Sequence, residues 1–433
     1  MRHRFLIIQK MLWVFALSPL VGFAQDWPQW RGPQRDGIWR EDGIRDELPE
    51  GQLPIAWSTE IGAGYSGPTV ANRRVYVMDR MVTERKETER VLCLDSGSGE
   101  IIWKHEYDAP YSISYKAGPR ASVTIDDNLA YSVGAMGHFF CFDAAKGDVI
   151  WQRDLQSDFD IDMPIWGIAA SPLIYKNLVI QQVSGRDGAC MVAMDKKSGK
   201  EVWRALNERA GYSSPIIINQ ANQDVLVCWT ADSLSGLDPL TGKVFWEHPF
   251  PPSRMPIGIG SPIWDGEFLF VSSFYDGSLM VKTPKDKLAI EVAWRQVGPD
   301  EEHTKSLHSM IGTCLLQGDY VYGVDSYGEM RCLEKKTGKR VWEDLTAVPK
   351  ARWATIHMVE QGNRNWLFNE RGELLIAQFS PNGLTILDRC DLIEPTREQL
   401  GQRNGVCWSH PAFAEKSVFA RNDRKIVRAS LAN

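Results

Sequence analysis

Apolar residues along this chain come in short, strand-length runs such as Pro54-Ile55-Ala56-Trp57, Ser417-Val418-Phe419-Ala420 and Lys425-Ile426-Val427. Helical potential is minimal, and the one short helix expected is Glu394 to Gln402. An acid, a Gly four residues on and a Trp four further on recur five times: Asp95/Gly99/Trp103, Asp143/Gly147/Trp151, Asp195/Gly199/Trp203, Asp238/Gly242/Trp246 and Glu334/Gly338/Trp342. The pattern suits a hairpin. The acid accepts hydrogen bonds from turn N–H groups, Gly supplies a positive φ at the loop end, and the returning strand ends on a large ring. Trp57 and Trp294 extend the series without the full turn, so the seven rings recur every 43–52 residues. Four strands of about six residues fill such a period. A propeller blade is the natural unit, because each four-stranded sheet buries both faces against its neighbours and Trp supplies area between them.

A second series runs in register with the first. Each period opens on small residues, usually with Ser, Thr or Pro, before an apolar strand: Ser66-Gly67-Pro68, Arg120-Ala121-Ser122, Ala170-Ser171-Pro172, Ser213-Ser214-Pro215, Gly260-Ser261-Pro262, Ile311-Gly312-Thr313, Trp353-Ala354-Thr355 and Ser409-His410-Pro411. These eight openings predict eight innermost strands converging on a crowded axis. The eighth period lacks its own last strand, so the strand around Trp57 is expected to complete it and close the ring, leaving no free sheet edge. The reading is an all-β, eight-bladed propeller over 53–433. It is preceded by an irregular segment, 25–52, expected to pack on its outside.

The chain has 433 residues, 43% hydrophobic and 24% charged, with a formal charge of −6. No useful run of Lys or Arg occurs, which argues against nucleic-acid binding. Residues 1–24 hold a basic start, an apolar stretch and small residues at Gly22-Phe23-Ala24, the pattern of a cleaved secretory signal. The apolar run is too short to span a bilayer and contains Pro19, and the residue directly after position 24 is not Cys. A periplasmic or secreted monomer is therefore expected, without a lipid anchor or a transmembrane span. Eight Cys are present, but Cys93, Cys141 and Cys332 share a repeat slot held elsewhere by Ala193 and Gly236. The slot wants a small buried residue, and free Cys behaves as one.

The Asp143-x3-Gly147-x3-Trp151 pattern and its sisters resemble the pyrroloquinoline-quinone (PQQ) repeat family. Asp26-Trp27-Pro28-Gln29-Trp30-Arg31-Gly32-Pro33 is similar to the start of secreted PQQ-like propellers of planctomycete-type bacteria, and Gly118-Pro119-Arg120 and Trp408-Ser409-His410-Pro411-Ala412-Phe413 to other segments that recur in them. The resemblance implies two functional branches. Quinoprotein alcohol dehydrogenases hold PQQ and Ca²⁺ in the channel, with a vicinal Cys-Cys disulfide that this sequence lacks. The outer-membrane assembly lipoprotein of the Bam complex is a scaffold without chemistry, and its lipobox Cys is missing here.

Function in a propeller gathers where inter-blade loops meet the axis, since the sheets are committed to packing. The longest connections precede inner strands, at 104–119, 152–168, 295–310 and 391–408. The binding candidates at this loop face and channel mouth are Tyr65, Arg120, Trp166, Tyr212, His308, Trp353, Trp408 and His410. Such a rim suits a protein, peptide or glycan partner; alternatively its rings fill the channel. Arg120 could hold a carboxylate or phosphate, or pair with a nearby Asp to stiffen its loop. Asp158, Asp160 and Asp162 alternate, but the Gly and Glu of a calcium loop are absent, so they read as a solvated edge. His303 and His308 lack a third metal ligand, and no nucleophile elbow is present. The expectation is a non-catalytic binding or assembly scaffold without cofactor or metal; the alternative is a PQQ-dependent oxidoreductase with calcium.

Overall fold

The computed structural model describes residues 25–433 and forms eight four-stranded antiparallel sheets. Blades 1 to 7 span 69–108, 124–154, 173–205, 216–249, 263–296, 315–344 and 356–391. Blade 8 joins three C-terminal strands within 412–430 to Ile55–Glu60, which takes the outermost position, so the ring closes as expected. Middle strands are mostly buried, some of them throughout as in Leu178–Gln182, whereas outermost strands such as Val149–Asp154 bury one residue fully among exposed and half-buried ones. The secretory-signal pattern of residues 1–24 lies outside the described residues.

The acid, Gly and Trp series is a contact between neighbouring blades. Asp95 Oδ1 accepts from the N–H groups of Gly97 and Ser98, and Gly99 follows at φ +76°. A Cβ on Gly99 would stand 2.6 Å from the Trp57 ring of the blade before; on Gly147 it would meet Trp103 at 2.6 Å, and on Gly199 Trp151 at 2.7 Å. Each indole N–H then reaches the carbonyl that follows the acid: Trp57 to Ser96 (2.7 Å), Trp103 to Ala144 (3.0 Å), Trp151 to Lys196 (3.0 Å), Trp203 to Pro239 (3.2 Å) and Trp294 to Lys335 (2.7 Å). Trp342 reaches Ser380 O (2.8 Å) in the short turn of blade 7. Trp246 faces the turn of blade 5, which has no acid and Gly pair, and donates instead to Gln220 in its own blade (3.0 Å).

The small slot is explained by register. Cys93, Cys141, Ala193, Gly236 and Cys332 pair directly with Trp103, Trp151, Trp203, Trp246 and Trp342, and a Cβ on Gly236 would lie 2.2 Å from its indole. All eight cysteines are buried and free, and burial pushes the thiols of Cys93 and Cys141 up to about 12.

The small openings of the inner strands do more than fit a crowded axis. Ser122 N–H donates to Ser171 Oγ (3.0 Å), Ser171 N–H to Ser214 Oγ (2.9 Å) and Ser261 N–H to Thr313 Oγ1 (3.1 Å), so a hydroxyl of one blade satisfies an amide of the blade before. Close approach is real as well: a Cβ on Gly67 would stand 2.4 Å from His410 O.

Two expectations need correction. The N-terminal segment is irregular but does not lie on the outside: residues 26–38 cross the axis. Trp27 pairs with Val70, Pro28 O accepts from Ile125 N–H, Trp30 Nε1 donates to Ser261 Oγ and Ile38 bridges Glu360, contacts with the inner strands of blades 1, 2, 5 and 7 or their openings. Arg35, buried, donates to the carbonyls of Ser171, Pro172 and Pro215 at the openings of blades 3 and 4. The chain then leaves between blades 7 and 8, where Trp39 packs on Trp366 and Phe413, and reaches the outermost strand of blade 7 at Asp391. The expected helix at 394–402 is also absent. Asp423 of blade 8 accepts from Thr396 Oγ1 and from the N–H groups of Glu398 and Gln399, holding this stretch as a loop. Among the described residues the one helix is Leu155–Phe159, capped by Asp154.

Candidate functional site

The plug divides the channel into two chambers. On the side away from the long loops lies a cavity of about 360 Å³, bordered by Arg31, Arg35 and Asp36 of the plug and by strands of blades 4 to 7. On the loop side lies a recess of about 110 Å³. Trp30, His357 and His410 border its deep end, Tyr65, Tyr115, Trp166, Tyr212 and Trp408 its walls, and Met310, Ile311 and Ile259 add apolar surface.

Each wall residue is placed by a hydrogen bond or a ring contact. Tyr65 N–H and Ser66 N–H both donate to Pro119 O, and the Tyr65 hydroxyl donates to Gln399 O (2.9 Å). Gln399 is buried, accepts from Trp408 N–H (2.7 Å) and donates to Gly64 O (2.7 Å), which ties the 391–408 loop to the junction before blade 1. Trp408 Nε1 donates to Glu370, whose other oxygen pairs with Arg403 at 2.6 Å. Trp166 lies 4.9 Å from Tyr212, with the edge of Tyr115 on it at 5.8 Å. At the rim Tyr115 and Trp353 approach to 6.4 Å, and both adopt positive φ, +55° and +69°. A bulky residue held there costs about 1–3 kcal/mol, and such strain clusters at ligand clamps.

Arg120 sits over the Tyr65 ring at 5.0 Å and borders the recess. It does not pair with an acid. Its guanidinium binds the carbonyls of Gly118, Ser114 (2.9 Å) and Tyr115 (2.5 Å), which stiffens the loop but leaves its charge uncompensated. No Asp or Glu borders the recess, and Arg120 is the one Lys or Arg among its lining residues.

The two imidazoles are neutral. His357 Nε2 contacts Trp408 O (2.8 Å) and His410 Nδ1 contacts Pro411 O (2.5 Å); carbonyls only accept, so these nitrogens carry the protons. Burial lowers His357 to about 4, and burial together with the nearby His357 and Arg31 holds His410 well below its ordinary value. His410 Nε2 is thereby left as a buried acceptor without a partner.

Of the eight binding candidates, the structure brings Tyr65, Arg120, Trp166, Tyr212, Trp408 and His410 to the recess and places Trp353 at the rim. His308 lies elsewhere. It is fully buried, its Nε2 accepting from Gly298 N–H (3.1 Å) and its Nδ1 meeting Phe274 O (2.9 Å), so it anchors its loop to blade 5. Tyr111 is also structural, its hydroxyl held by Glu89. His303 is exposed against Asp300, and Asp158 and Asp160 pair with Arg153 and Arg186. Sequence reasoning missed Trp30 and His357. A His inside the apolar inner strand Ile356–Gln361 was the available signal for the second.

PQQ with calcium, the alternative that the repeat implied, asks for a different donor set. Ca²⁺ takes six to eight oxygen ligands, typically with carboxylates among them. The recess offers Ser171, Ser214 and tyrosine hydroxyls but no carboxylate or side-chain amide, and no two cysteines are adjacent in the sequence. The residues do not fit that pair. Among the described residues no group of three or more His, Cys, Asp or Glu gathers as a metal site, and no helix is long and apolar enough to cross a membrane.

No curated protein matches the sequence. Solved structures similar in fold include BamB from Moraxella catarrhalis (17% identity, 87% of this chain and 97% of that one, TM-score 0.59) and the quinohemoprotein alcohol dehydrogenase from Comamonas testosteroni (13%, 94% and 81%, 0.66). A europium-containing methanol dehydrogenase is similar at 12% identity, 93% and 89% coverage, and TM-score 0.62. A family model described as outer membrane protein assembly factor BamB matches residues 87–344, and with the eight-bladed ring and its repeated docking tryptophans the chain belongs to this PQQ-repeat propeller family.

Proposed function

We propose that this protein is an exported, non-catalytic propeller that holds a protein partner at its loop face, with the axial recess as anchor. The observation that carries the reading is the lining of the recess: a box of aromatic rings, one uncompensated guanidinium, and no carboxylate to serve as base or metal ligand. Aromatic residues and Arg are the groups that dominate protein-binding hot spots. A glycan site would pair aromatic with acidic residues in one loop pocket, and the missing acid favours protein over glycan. The family description, an assembly factor, agrees with a scaffold, and the pattern of residues 1–24 supports export.

Two measurements test this. Purified mature protein is titrated with PQQ, with and without Ca²⁺, by tryptophan quenching and calorimetry. The expected result is no saturable binding, and one-to-one binding accompanied by alcohol oxidation would replace the scaffold with an oxidoreductase. A photo-crosslinking residue at Tyr115, on the loop face, is expected to give a discrete protein adduct in cells, while one at Val202 on the outer rim gives none. Equal labelling from both positions would remove the loop face as the docking surface.

A further inference from the structure

We propose that the recess receives the C-terminal residue of the partner: an apolar side chain of leucine size between the aromatic walls, with the terminal carboxylate meeting Arg120. This rests on the loop-face reading and adds to it the chemistry of the occupant.

Three features converge on that group. The first is size and lining. At about 110 Å³ the recess is smaller than the engineered cavity of about 150 Å³ that takes a benzene ring, so it holds one side chain. Trp166, Tyr212, Trp408 and Met310 are among its walls and Trp30 borders its deep end, surfaces that favour an apolar body. The second is charge. Arg120 is half-buried and borders the recess, where no Asp or Glu accompanies it. Of the five N–H donors of a guanidinium, three are engaged by the carbonyls of Gly118, Ser114 and Tyr115, and two remain for a carboxylate. The same charge disfavours a lysine or an N-terminal amine in the box. The third is position. Arg120 opens the inner strand of blade 2 as Trp353 opens that of blade 7, and it holds the carbonyl of Tyr115, whose ring meets Trp353 at the rim. The cation therefore stands at the lip of an apolar recess that the plug closes below. An inserted chain enters and leaves by one mouth, which a terminus does without doubling back. A C-terminal residue carries its side chain and its carboxylate on one Cα, the pairing that a single cation above an apolar recess matches.

The test uses the mature protein and four N-acetylated peptides, with binding measured by calorimetry and by ligand NMR. They are Gly-Ser-Leu as the free acid, the same peptide as its C-terminal amide, Gly-Ser-Ala as the free acid, and Gly-Glu-Leu-Gly as its amide, which carries the carboxylate on a side chain. The Leu acid is expected to bind with one-to-one stoichiometry. Amidation and truncation of Leu to Ala are each expected to weaken binding about tenfold. Arg120→Gln removes the preference for acid over amide and keeps that for Leu over Ala. Ala169→Phe, at a half-buried position lining the recess, fills it while leaving Arg120 in place, and abolishes binding of the Leu acid. Circular dichroism and the unfolding midpoint confirm that both variants are folded. Equal affinity for the Leu acid and its amide, no binding of the Leu acid at millimolar concentration, or undiminished binding to Ala169→Phe overturns the inference. Equal or tighter binding of the Gly-Glu-Leu-Gly amide overturns it as well, by moving the carboxylate from the terminus to a side chain. If the crosslink from Tyr115 persists in Ala169→Phe and no peptide competes with it, loop-face docking stands and the C-terminal occupant falls.

Discussion

The contact between a turn glycine and the preceding blade's tryptophan can be isolated energetically, because the chain supplies its own control. Gly147 has φ +79°, and a Cβ there would lie 2.6 Å from Trp103 Cδ2, 2.8 Å from Cε3 and 2.9 Å from Cγ. Gly188 has the same φ, +79°, and nothing within 4 Å of its Cβ position. Placing an L-residue in the left-handed region costs about 1–2 kcal/mol. Adding a carbon to a packed site costs about 1–3 kcal/mol more. Gly188→Ala therefore destabilises by about 1–2 kcal/mol through backbone strain alone, and Gly147→Ala by about 2–5 kcal/mol. Urea unfolding followed by tryptophan fluorescence reads the difference as a shift of midpoint at unchanged slope. In a Trp103→Leu background the extra cost of Gly147→Ala should disappear, since the carbon then meets open space. Equal midpoints for the two single variants, or an unchanged gap after Trp103→Leu, would refute the argument that the repeat glycine exists to seat the neighbouring indole.

Acid should weaken the fold through the axis. His357 takes up a proton near 6.5 when unfolded and near about 4 in the fold, so between those values the unfolded chain binds more protons and stability falls as the pH drops; the loss approaches about 3 kcal/mol by pH 4. Urea midpoints from pH 7 to pH 4.5 check this, and a His357→Gln variant that keeps the full slope would exclude His357 as its source. All eight thiols are buried, so a disulfide-exchange reagent should titrate none rapidly in the native protein and eight in urea; a fast-reacting native thiol would show that a docking slot opens.

Much of the candidate site was legible because its residues occupy equivalent places in the repeat. Tyr65, Arg120, Tyr212 and His410 belong to the junctions before inner strands or the strand openings themselves, and counting the repeats already gathers them around one axis. Trp166 and Trp408 sit on two of the long loops that end at such openings. His308 has the same place on its own loop but differs in direction. Its ring turns away from the axis to satisfy Gly298 and Phe274, a choice that spacing does not encode.

The sequence by itself determined the fold: blade number, ring closure by the strand around Trp57, the small partner beneath five of the docking indoles and the hairpin acids. These contacts join neighbouring repeats, so each is written several times at constant spacing. The tertiary structure alone decided the path of residues 26–38, the arrival of Trp30 and His357 at the recess, the switch of Trp246 to Gln220 and the loss of the helix at 394–402 to Asp423. Those contacts occur once each, and several span hundreds of residues, such as Trp30 to Ser261. Without a period to mark them, they are fixed by which buried donors and acceptors the closed ring leaves to be satisfied.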